Sequence, residues 1–132
     1  MSVNLTGIWN ANLTNSRILG PTPRAITVMI AHSDPELEEE MVVTKLDGSE
    51  ERIVFKCSTD GEPGKSLLNG RAVHGSAKWV GEELVIESRM QSGRREMHFC
   101  DYWSLSPNGQ TLSMEHRNGD LAGQKTVLER TG

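Results

Sequence analysis

The sequence predicts an all-β protein, a closed antiparallel up-and-down β-barrel of about eight to ten strands. Three observations carry that expectation. Short runs of alternating apolar residues recur along the 132-residue chain, many of them ended by a glycine turn, and no helical stripe of comparable length interrupts them. A turn-and-strand unit, Gly-x-x-Leu-x-(Ile/Met)-Glu-x-Arg, occurs at 81–89 and again at 109–117, each time after a tryptophan, Trp79 or Trp103. Successive hairpins of a meander produce such repetition. The ends of the chain also suit one another: Gly7-Ile8-Trp9 lies on the opening strand and Arg130 ends the closing one. In a barrel closed on itself the indole plugs one end and the guanidinium stacks on it. An open sheet of that many strands would leave two exposed edges, and closure removes them.

Composition agrees with one small β domain spanning 1–132, since 36% of residues are hydrophobic and 13 are glycine. A net charge of −4, with Arg94-Arg95 as the basic doublet, argues against nucleic-acid binding, which needs a clustered basic face. No apolar run approaches the roughly 18 residues of a membrane helix, so no membrane insertion is expected. The opening residues lack the charged and apolar regions of a signal peptide, and the expected location is the cytoplasm. Cys57 and Cys100 are too few for a disulfide framework and are read as half-buried thiols. Without Cys-x-x-Cys or His-rich spacing, neither a metal nor a cofactor is expected.

Taken in order, the first clear strand follows the Gly20-Pro21-Thr22-Pro23 loop, with Ile26, Val28 and Ile30 alternating. Met41 and Val43 continue the pattern to the hairpin signal Asp47-Gly48, and Ile53, Phe55 and Cys57 follow it. Between these lies the densest charge run, Glu36-Leu37-Glu38-Glu39-Glu40. It lacks the glycine-turned oxygens of a calcium loop and is read as a solvated strand edge, where like charges discourage further pairing. After the Asp60-Gly61-Glu62-Pro63-Gly64 turn, residues 65–75 are the least patterned, either a short strand or a lid-like loop. Any helical turn is expected near 64–70.

From Ser76 the alternation sharpens. Met97, Phe99, Asp101, Trp103 and Leu105 share one face of their strand, with His98, Cys100, Tyr102 and Ser104 on the other. The first face is the more apolar and should point inward, taking Asp101 with it. Across the Ser106-Pro107-Asn108-Gly109 turn, Leu112, Met114 and His116 form the matching face, and Ser88 joins it from the preceding strand after Leu84 and Ile86. Parity must be kept, because a one-residue slip would set an apolar face against a polar one. His116 then falls opposite Asp101 or one diagonal step away.

Gly7-Ile8-Trp9 with Arg130 resembles the calycin superfamily, which comprises lipocalins, fatty-acid-binding proteins and avidins. Trp79-Val80-Gly81-Glu82-Glu83-Leu84 and Trp103-Ser104-Leu105-Ser106-Pro107-Asn108-Gly109-Gln110-Thr111-Leu112 look more specifically like small bacterial lipocalin-like domains of unknown function. Cys100-Asp101-Tyr102 is similar to the lipocalin Thr-Asp-Tyr motif without its threonine. The resemblance implies a lipocalin-like barrel closed by Gly7, Trp9 and Arg130; it names no ligand.

The expected function is therefore non-enzymatic binding of a small apolar or amphipathic molecule inside the barrel. Ser88, Met97, Phe99, Asp101, Trp103, Met114 and His116 are the candidate contacts. Methionines, Met90 among them, adapt to varied ligands, and an Asp in an apolar interior needs a partner or a raised pKa. Two alternatives stand beside it: a barrel filled by its own side chains that acts through its surface, and an isomerase- or hydratase-type enzyme using Asp101 and His116 as acid and base. His74 and His98 are placed at the surface or rim.

Overall fold

The structure is a computed structural model in which residues 4–62, 66–118 and 121–131 are described. Ten strands form in chain order: β1 (Gly7–Ala11), β2 (Ala25–Ser33), β3 (Glu36–Thr44), β4 (Glu50–Ser58), β5 (Ser66–Leu68), β6 (Arg71–Val80), β7 (Glu83–Ser92), β8 (Arg95–Leu105), β9 (Thr111–Asn118) and β10 (Leu121–Arg130). Each pairs antiparallel with the next, and β10 returns to pair with β1, closing the barrel. The alternation read from the sequence is the inward face. Ile26, Val28 and Ile30 are buried on β2, Leu84 and Ile86 on β7, and Leu112 and Met114 on β9.

Two segments refine the expectation. Residues 66–68 form a short strand, one of the two readings the sequence leaves open for 65–75, rather than a helical turn, and this strand, β5, pairs with β4 on one side and β6 on the other. Asn69 and Gly70 make the turn that follows, both at positive φ, 50° and 81°; residues 63–65 lie outside the described set. The acidic run is not an edge either. It is β3, paired along its whole length with β2 and β4, so its residues alternate between solvent and interior. Leu37 and Glu39 are buried with the inward set, while Glu36 and Glu38 are exposed.

One end of the barrel is closed by the chain's own termini. Trp9 is fully buried, and the Arg130 guanidinium lies 4.3 Å from its ring centroid. Further bonds fix both groups: the indole N–H donates to the Leu5 carbonyl at 3.1 Å, and Arg130 donates to the carbonyls of Thr6 at 2.6 Å and Gly109 at 3.0 Å. A polar clasp sits at the same end. His32 Nδ1 accepts from the Leu5 amide at 3.1 Å, which leaves Nε2 to donate to Asp34 at 2.6 Å. Asp34 also accepts from the Thr59 hydroxyl at 2.8 Å and the Trp79 indole at 3.4 Å. Burial alone would raise the Asp34 carboxyl, but these hydrogen bonds outweigh it and hold the group below its ordinary value. Trp79 is thus a half-buried member of the clasp, its ring 5.8 Å from that of His32.

Candidate ligand-binding site

The β8–β9 hairpin sets the site. Its turn, closed by the Gly109 amide donating to the Ser106 carbonyl at 2.9 Å, puts Leu105 opposite Leu112, Trp103 opposite Met114 and Asp101 opposite His116. The directly opposed pair is close enough to bond, with His116 Nδ1 2.7 Å from the Asp101 carboxylate. Phe99 stacks on the imidazole at 5.2 Å between centroids, fixing the ring plane. That hydrogen bond raises the His116 pKa above its ordinary value, with burial acting the other way. Among the described residues no hydrogen bond reaches His116 Nε2.

Two glycines allow the strands around this pair to approach. At the irregularity in β10 between Ala122 and Lys125, a Cβ on Gly123 would fall 2.0 Å from the His116 carbonyl oxygen. At Gly75 on β6 it would fall 1.9 Å from the Glu87 carbonyl, beside Ser88. A larger residue would push the backbones apart at both places. The Gly123 carbonyl is held in turn by the Arg17 guanidinium, at 2.9 and 3.0 Å, from the loop after β1.

Inside the barrel these elements line a cavity of about 400 Å³. Its apolar wall includes Met41, Ile53, Phe55, Leu68, Val73, Ile86, Phe99, Trp103 and Met114. Among the described residues its polar groups are Glu39, Ser88, Asp101, His116, Gln124 and Thr126, with no lysine or arginine. Glu39 is the unusual member. It is 6% exposed, its Oε2 has no hydrogen-bond partner among the described residues, and burial, with the Asp101 charge in second place, pushes its carboxyl up to about 8. Burial and then Glu39 push the Cys57 thiol, on the neighbouring strand, up to about 12, so Cys57 behaves as a buried apolar group.

A wider hollow of about 720 Å³ lies at the closed end, lined by Thr6, Ser33, Glu38 and Lys56 among others. Much of its wall is exposed outer face, where a ligand would keep most of its water. Among the described residues no group of three or more His, Cys, Asp or Glu side chains is arranged to hold a metal ion.

No protein family matches the sequence, and no curated protein is similar to it at a significant level. Among solved structures the chain is similar to a mutant of the REP1-NXSQ fatty acid transporter, with a TM-score of 0.61. Identity is 14%, over 96% of this chain and 98% of that one. At that identity the likeness shows the fold alone.

Of the residues singled out from the sequence, Ser88, Phe99, Asp101, Trp103, Met114 and His116 line the cavity together. Met97 does not. It lies half-buried near the β7–β8 turn, paired with Met90, whose side chain falls outside the described set. His74 and His98 are exposed, with His98 2.8 Å from Glu96. Of the two thiols, Cys57 is buried and Cys100 half-buried. Glu39 was missed, though a signal existed: it shares parity with Met41 and Val43.

Proposed function

We propose that the protein is a calycin-type binding protein that takes a small, largely apolar molecule into the barrel without covalent chemistry. The carrying observation is the cavity of about 400 Å³ with a largely apolar wall interrupted by a few polar groups, Glu39, Asp101 and His116 among them. That size falls within the roughly 300–1,000 Å³ usual for small-molecule sites, where apolar walls supply affinity and a few polar groups supply orientation. Similarity of fold to a fatty acid transporter supports the same reading. A barrel packed solid would suit a purely structural module; here the lumen has room for a guest.

Titration with the uncharged dye N-phenyl-1-naphthylamine, whose emission rises in apolar surroundings, tests this. A saturable rise with one site per chain is expected, together with a retained small molecule in native mass spectra of protein from its own host. A linear, non-saturating response would contradict interior binding.

A further inference from the structure

The cavity's polar groups differ in sign from what a fatty-acid anion needs. Among the described residues its two acidic side chains, Glu39 and Asp101, are accompanied by one imidazole and by no guanidinium or ammonium group. Asp101 is already engaged by His116 at 2.7 Å, whereas Glu39 lines the cavity and its buried Oε2 has no hydrogen-bond partner among the described residues. A buried carboxyl oxygen left unpaired is costly, and a donor brought by a guest relieves that cost. A carboxylate guest would find no lysine or arginine to pair with among the described lining residues.

We propose that the interior selects apolar molecules ending in a protonated amine, with Glu39 as the group that receives the ammonium. The inference rests on the binding function proposed above and adds the headgroup. The groups facing Glu39 are Asp101, across the lumen with its partner His116, and the thiol of Cys57 on β4. None of these is a fixed cation that would repel the ammonium; His116, when charged, is held by Asp101. Burial pushes the Glu39 carboxyl up to about 8, so pairing with an ammonium, which favours the charged form, expels a proton to solvent.

Displacement of N-phenyl-1-naphthylamine by decylamine, 1-decanol and decanoate, at matched chain length and below micelle-forming concentrations, tests the headgroup. Decylamine should displace the dye at a concentration lower by on the order of tenfold or more than either analogue, the size of a charge-assisted hydrogen bond. Glu39→Gln, with displacement referred to that variant's own dye affinity, should bring the three ligands together. Calorimetry of decylamine in buffers of different ionisation enthalpy should show proton release in the wild type and none in Glu39→Gln. Equal or better displacement by decanol or decanoate overturns the amine preference while leaving interior binding intact. Failure of the dye itself to bind overturns both.

Discussion

His32–Asp34 and His116–Asp101 are the same two groups at nearly the same separation, 2.6 and 2.7 Å, in two different parts of the barrel. At the closed end the His32 side chain is only 2% exposed and both ring nitrogens are bonded, while Asp34 accepts from three side chains. Both imidazole nitrogens are taken, and the pair ties β2 to the residues before β1. In the cavity the His116 side chain is 45% exposed, Nδ1 is held by Asp101, and Nε2 is not bonded among the described residues. A fixed tautomer with one nitrogen left over suits a group that meets a ligand. The lesson is that an Asp–His pair is interpreted by what its remaining atoms touch, since the contact itself is common to scaffold and site.

The largest expected effect lies at the closed end. Trp9→Ala removes a fully buried indole and should cost about 3 to 5 kcal/mol, measured by chemical denaturation. Dye affinity of the fraction that remains folded should be unchanged, because Trp9 is not among the residues lining the cavity. A variant that lost affinity while losing little stability would erase the distinction between the two ends.

The next effect belongs to the cavity and has a defined sign. Glu39 has an ordinary pKa of 4.5 and is pushed up to about 8 in the fold, so the folded state holds a proton that the unfolded chain releases. Its contribution is full below about pH 4.5 and is lost as pH rises through about 8, on the order of a few kcal/mol in all. His116, also raised, contributes in the same direction through its own titration, whereas Asp34, held low, loses its contribution only as the medium becomes acidic. Subtracting the stability-against-pH curve of Glu39→Gln from that of the wild type isolates the Glu39 part. The difference should fall steadily between about pH 5 and 8; a flat difference would place the carboxyl in water.

How far the sequence led can be followed in the same two regions. β8 and β9 were legible because apolar residues hold one parity on both strands and a four-residue turn joins them, so Asp101 and His116 were expected within one step of each other and lie directly opposite. β3 was not, because glutamates occupy both parities. In a run such as Glu38-Glu39-Glu40 charge density conceals the alternation, and only the phase set by Leu37, Met41 and Val43 separates the inward glutamate from its neighbours. β5 has three residues, too few for any period to register. His32 extends the Ile26, Val28, Ile30 series by one step, yet its partners Leu5, Thr59 and Trp79 come from distant parts of the chain that no local pattern connects.

The most direct measurement is a crossed one, made on His32→Gln and His116→Gln with two readouts, denaturation midpoint and dye affinity. His32→Gln should lower stability by about 1 to 3 kcal/mol, for buried partners left unsatisfied, and leave dye affinity near the wild-type value. His116→Gln, at a half-exposed position, should leave stability within about 1 kcal/mol and weaken dye binding several-fold. The opposite pattern, or equal losses in both readouts for both variants, would contradict the division of the barrel into a closing clasp and a binding interior.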